Sequence, residues 1–259
     1  MDYMRSHPLR PFAVPAAVLF LSSAAVTASA DSAPPDTIVV ADVSRDTAGE
    51  SPKEWENILG KKQRVYGNYT VEYDPSGPGI HARSNSAGSW LERGAGEIDP
   101  AVHPFLEWEW MVSSFPDVEW ERNTGEEDFA VRLELVLGYR GSGWNPLNIM
   151  RRGLLTSLFN RKAPVLVLSY VWSVGVPVDT GFEAAGTKRT MIVPVESGSF
   201  SPRRWFRERR DIRADINRYL PGEKSIVVKR IRIRSDTDDS GSTAESGIRN
   251  IRFVKKHGE

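Results

Sequence analysis

Short runs of this chain alternate apolar and polar residues, and Gly, Pro, Asn or Asp separates one run from the next. Side chains along a strand point to opposite faces in turn. In Leu106-Glu107-Trp108-Glu109-Trp110-Met111-Val112 this places Leu106, Trp108, Trp110 and Val112 on one face and Glu107 and Glu109 on the other. The run 165–174 has the same form, with Leu166, Leu168, Tyr170 and Trp172 opposite Ser169 and Ser173. Runs rich in β-branched and aromatic residues predict strands over 64–73, 80–84, 106–112, 129–139, 165–174, 189–195, 225–234 and 248–254, with Ile38-Val39-Val40 as a first edge strand. About eight to ten short strands punctuated in this way predict a mainly β fold, an antiparallel β-sandwich of jelly-roll type.

Two stretches carry a helical period instead, so one or two peripheral helices are expected. Ser201-Pro202 offers an N-cap followed by a first-turn proline, and Trp205, Ile212, Ile216, Tyr219 and Leu220 recur at helical spacing until Pro221-Gly222. Arg207, Arg210 and Arg213 then form a solvated face. Asn145-Pro146 opens the second, in which Leu147, Met150, Leu154, Leu155 and Leu158 oppose Arg151, Arg152, Arg161 and Lys162. Packing against the sandwich is the expected role of this segment. Peripheral membrane contact through 146–162 is the alternative for a basic amphipathic helix.

The first thirty residues read as a secretory signal: Arg5 and Arg10, an apolar run over 12–26 broken by Pro15, Ser22 and Ser23, then Ala28-Ser29-Ala30 as the cleavage site. The expected organisation is a signal over 1–30, a linker with the first edge strand over 31–50, and the sandwich over 51–256, in a periplasmic or secreted protein. Cleavage removes Arg5, Arg10 and Asp2 from a chain with 34 basic and 34 acidic residues, which leaves it close to neutral. That balance carries no bulk attraction for a polyanion, so no nucleic-acid partner is expected. With no cysteine there is no disulfide framework, lipoprotein anchor, thiolate metal site or cysteine nucleophile.

Candidate chemistry rests on three places. Glu107 and Glu109 project the same way about 7 Å apart, a spacing that suits the acid and nucleophile of a glycosidase. The competing reading is a solvated face of cross-strand ion pairs, with Arg132 and Glu134 on a neighbouring strand and a stripe of Arg230, Arg232 and Arg234 as partners. Tyr170 and Trp172 form either a sugar-stacking platform or part of the core. Asp236, Asp238 and Ser240 supply oxygens at alternate positions before Gly241, as in the first half of a calcium loop. The glutamate that would complete such a loop is replaced by Gly247, so an acidic turn is the competing reading. His81, His103 and His257 lack metal-ligand spacing, and serine elbows, phosphate loops and dinucleotide fingerprints are absent.

In order and spacing, several pieces resemble the DUF3047 family of bacterial exported proteins, a domain of unknown function. They are Tyr69-Thr70-Val71, the run 82–87, Leu106-x-Trp108-x-Trp110-Met111-Val112 after Pro104, the run 127–132, Tyr170-Val171-Trp172-Ser173, Trp205 with the run 208–211 and Asp215, the run 236–240, and Asn250-Ile251-Arg252-Phe253. Together they span 38–254. The resemblance implies a β-sandwich and no established activity. The chain departs from the family pattern in the long stretch 143–163, and at Glu109, where a basic residue is more usual.

The leading expectation is an exported, non-catalytic β-sandwich that binds a carbohydrate or cell-envelope component through Glu107, Glu109, Arg132, Tyr170 and Trp172, with no cofactor unless Asp236, Asp238 and Ser240 hold calcium. The alternatives are a jelly-roll glycosidase or lyase using Glu107 and Glu109, and an envelope structural or assembly factor using the basic segment 146–162.

Overall fold

The computed structural model describes residues 35–59, 64–118, 127–140, 166–199, 203–222 and 225–256. The predicted signal and the predicted helix near 146–159 lie outside them. The described chain forms β1 (Thr37–Val39), β2 (Glu56–Leu59), β3 (Asn68–Asp74), β4 (Gly77–Asn85), β5 (Ser89–Ile98), β6 (Phe105–Ser114) and β7 (Phe129–Tyr139). β8 (Leu166–Ser173), β9 (Phe182–Glu183), β10 (Thr190–Ser197), β11 (Phe206–Asp211), α1 (Ile212–Tyr219), β12 (Ile226–Asp236) and β13 (Thr243–Val254) follow.

Two sheets stack face to face as the predicted sandwich. Sheet A has the order β11-β6-β13-β4-β3, with β1 also paired to β13, and sheet B has the order β2-β5-β12-β7-β8-β10-β9. Every pair is antiparallel except β8 with β10, which run parallel, so sheet B is mixed. Alternation along each strand fills the space between the sheets. Trp108 and Trp110 of β6 face Tyr170 and Trp172 of β8, with Trp108 stacked on Tyr170 at a centroid distance of 5.5 Å and edge-on to Trp110 at 5.2 Å. Buried hydrogen bonds join the layers: the Tyr69 hydroxyl donates to the Ser89 carbonyl, and the Ser84 and Ser235 hydroxyls lie 3.0 Å apart.

The predicted helix from Ser201 is corrected. Residues 206–211 are strand β11, and the helix begins only after Asp211, whose carboxylate accepts the Ala214 N–H as N-cap. The competing force is cross-strand pairing. As a strand, Arg207 and Arg209 lie opposite Glu109 and Glu107 of β6, while Phe206 turns inward onto Trp172 at 5.0 Å. The short helix is tied to the core through Asp215, which accepts from the Tyr170 hydroxyl at 2.8 Å and from Arg210 at 2.8 and 3.0 Å.

Candidate functional site

The five residues expected to share a ligand site are split among three layers. Glu107 and Glu109 lie on the outer face of sheet A, and Arg132 lies on the outer face of sheet B. Tyr170 and Trp172 lie between the sheets, with 0% and 3% of their surface exposed. Burial takes both aromatic residues out of the ligand set: a sugar reaches them only if the sheets part.

Each of the two glutamates is clamped by two arginines. Glu107 accepts from Arg209 and, at 2.7 and 2.9 Å, from Arg252, while Glu109 accepts from Arg207 at 3.1 Å and Arg249 at 2.8 Å. Burial opposes ionisation of Glu107, but Arg252 and Arg209 outweigh it and hold the carboxyl below its ordinary value. Glu109 is governed in the same way, with Arg249 and Arg207 outweighing burial. Both groups are therefore carboxylates at neutral pH, and neither has the raised pKa of a glycosidase acid. A shallow pocket of about 160 Å³ beside them is bounded by Arg207, Asn250 and Arg252.

The larger opening lies further along the same face. A groove of about 660 Å³ runs over the row Asn68–Arg83–Glu245–Ser114, which crosses β3, β4, β13 and β6 in register. Val65 and Tyr66 form its apolar lip, and Tyr66 is 58% exposed. Arg83 donates to Glu72 at 2.6 Å and lies 3.6 Å from Glu245, which fixes the floor of the groove. Asn85, Thr243 and Arg203 complete the wall, and Arg203 adopts a left-handed φ of 52°.

Trp205, two residues after Arg203, closes the face beyond the groove. A Cβ added at Gly79 or Gly247 would come within 2.9 Å of its ring, so both positions need glycine for the indole to lie on the sheet. The indole N–H donates to Asp74 at 2.6 Å, and the Arg249 guanidinium sits 4.1 Å from the ring centroid. Sequence reading missed this groove because its walls come from residues near 66, 83 and 244. Alternation within one strand shows which side chains share a face, but not which other strands join it.

Two of the three predicted calcium ligands, Asp236 and Asp238, meet Asp128, which was not among them, while Ser240 instead donates to Asp128. Oxygen atoms of Asp128, Asp236 and Asp238 lie within 4.8 Å of one another. Asp236, however, accepts from Arg132 at 3.0 and 3.2 Å and from the Phe129 N–H at 3.4 Å, and pairs with Arg234 at 2.6 Å. Asp128 accepts from the Ser240 N–H at 2.7 Å, the Ser240 hydroxyl at 2.5 Å and the Asp239 N–H at 3.3 Å. Calcium takes six to eight oxygen ligands. Here the buried oxygens of Asp236 and Asp128 are already engaged by guanidinium and loop donors. Asp128 acts as a latch for the acidic turn.

Outside the predicted set, Glu208 of β11 and Glu196 of β10 form a carboxyl pair where the two sheets meet. The Trp110 indole donates to Glu208 at 3.1 Å. Burial, and then the adjacent Glu196, push the Glu208 carboxyl up to about 7.

Solved structures with a similar course of chain include a family 11 carbohydrate-binding module from Clostridium thermocellum in complex with a β-1,3-1,4-mixed-linked tetrasaccharide. It is 6% identical with a TM-score of 0.41, and the match covers 86% of this chain and 98% of the module. A native family 12 xyloglucanase from Bacillus licheniformis is 9% identical with a TM-score of 0.39, over 78% of this chain and 97% of the enzyme. At these values neither similarity bears on what this chain binds. No curated protein matches the chain. The family model for a protein of unknown function, DUF3047, matches residues 53–252, and the chain belongs to that family.

Proposed function

We propose that this chain is an exported, non-catalytic β-sandwich that binds a carbohydrate of the cell envelope in the groove on the outer face of sheet A. The observation that supports this reading is the exposed Tyr66 ring at the lip of an open groove of about 660 Å³ whose floor is a row of amide, guanidinium, carboxylate and hydroxyl groups. A tyrosine ring offers an apolar face to the C–H side of a sugar. The amides of Asn68 and Asn85 both donate and accept, which matches ring hydroxyls, and a few convergent polar groups beside an apolar wall are the usual make-up of a ligand site. The absence of catalysis is argued from Glu107 and Glu109, which four arginines hold ionised.

Calorimetric titration of the protein with a panel of envelope and plant oligosaccharides tests this. Binding by one of them should weaken about tenfold or more in Tyr66→Ala, the loss of at least 1.4 kcal/mol expected for a stacked ring. Unchanged affinity in that variant would remove the groove as the site.

A further inference from the structure

The groove on sheet A has a direction as well as a chemistry. Its floor residues Asn68, Arg83, Glu245 and Ser114 are successive register partners on β3, β4, β13 and β6. Three strand spacings of about 4.8 Å make this row roughly 14 Å long, at right angles to the strands. The breadth is set along the strands. Asn85 and Thr243, also register partners, form a second row two residues from Arg83 and Glu245, which makes the floor roughly 7 Å broad. The floor is thus about twice as long across the strands as along them. Tyr66, two residues before β3, stands at one end, and Ser114 of β6 at the other.

Charge narrows the occupant further. Among the described residues that line the groove, Arg83, Arg203 and Glu245 are charged. Glu72, just outside, takes Arg83 at 2.6 Å, and Glu245 lies 3.6 Å from the same guanidinium. Two guanidiniums and two carboxylates therefore balance, with no surplus to attract an ion of either sign. A charged occupant has to pull Arg83 away from its carboxylates or meet them directly. An uncharged one needs neither, and finds amides and hydroxyls in both rows that donate and accept.

We infer that the groove takes a neutral oligosaccharide chain laid across the strands, from Tyr66 at the β3 end to Ser114 at the β6 end. Linked pyranose rings repeat at about the strand spacing, so a floor of roughly 14 Å holds about three of them. The ring at the β3 end stacks on Tyr66, and the third reaches Ser114. This rests on the reading of the groove as a glycan site and adds to it the length, direction and charge of the glycan.

The test is calorimetric titration of the full chain with β-1,4-linked glucose and N-acetylglucosamine oligomers of increasing length, and with galacturonate oligomers as the charged control. In the series that binds, affinity should rise about tenfold from the disaccharide to the trisaccharide, the gain expected from one or two net hydrogen bonds. Beyond the tetrasaccharide it should stay within about twofold. Ser114→Trp, which fills the β6 end, should bring the trisaccharide down to the affinity of the disaccharide and leave the disaccharide as it was. The length series in the wild-type chain decides even where that variant does not fold. Affinity that ignores length or still climbs beyond the tetrasaccharide, a folded Ser114→Trp that binds the trisaccharide as wild type does, or tighter binding of the galacturonates would each overturn the inference while the groove remains a glycan site. No binding of any oligomer, or affinity unchanged in Tyr66→Ala, would remove the glycan reading itself, and this inference with it.

Discussion

The two outer faces of the sandwich carry similar numbers of charges and use them differently. On sheet A, Glu107 pairs with Arg209 and Arg252, whose side chains are 50% and 45% exposed, so the pairs sit at the rim of water. On sheet B, Arg132 and Asp236 pair with 3% and 2% of their side chains exposed. Exposed pairs contribute little because water and salt screen them. A buried pair is costly to form and more costly to break, since each partner leaves the other uncompensated. The Glu107 pairs on sheet A can therefore present a changeable polar surface, although Glu109 and Arg249 on the same face are largely buried, whereas the network on sheet B fixes the turn that carries Asp236, Asp238 and Ser240.

The largest effect should come from breaking the sheet B network. Arg132→Met leaves Asp236 buried with Arg234 alone, and a loss of about 3–5 kcal/mol is expected. For a chain of this size that is a fall of roughly 10 °C in melting temperature, measured by calorimetry. A fall within 2 °C would mean that the buried network is not what separates the two faces.

The next effect belongs to neither face but to the seam between them. In the folded chain burial and Glu196 favour the protonated form of Glu208, whose pKa is about 7 against an ordinary 4.5. A raised carboxyl pKa gives stability that is fully present below the unfolded value and is lost as pH rises through the folded one. Stability should therefore fall between pH 5 and pH 8, by about 1 kcal/mol after allowing for the partial exposure of the group. Glu208→Gln should flatten that slope. A slope unchanged in the variant would assign the pH dependence to other groups.

Much of this arrangement was legible in the sequence, and the parts that were not share a cause. The alternation in β6 and β8 grouped Trp108 with Trp110 and Leu168 with Tyr170 on single faces, because one apolar face per strand is what a sandwich core requires, but the expectation that Tyr170 and Trp172 meet a ligand took a buried face for an open one. β5 escaped notice because Gly94 and Gly96 and the charges of Glu92, Arg93 and Glu97 interrupt its pattern, although β2 and β12 pair with it on either side. In β11 the sequence Phe206-Arg-Glu-Arg-Arg-Asp211 has too few apolar residues to announce a strand; its register is set by carboxylates on β6, remote in sequence. The same limit scattered the expected site. Alternation placed Glu107 and Arg132 outward, each relative to its own sheet, but only the pairing of strands determines that those sheets are different ones.

The smallest effect sharpens the comparison most directly. Glu107→Gln preserves the shape of the side chain and removes its charge, leaving Arg209 and Arg252 close to water. Because both guanidiniums can be solvated where they are, the expected loss is about 0.5–1 kcal/mol, or roughly 2–3 °C in melting temperature. The loss should shrink as salt is raised to 1 M, where screening reaches within about 3 Å. If the pairs on sheet A were structural in the same sense as Arg132 with Asp236, this substitution would cost several times more and salt would matter little. The variant also separates binding from catalysis at that face: with both glutamates held ionised, Glu107→Gln should leave oligosaccharide affinity in the groove within about twofold of wild type, and a sugar-cleaving activity abolished by it would reinstate Glu107 as an acid or nucleophile.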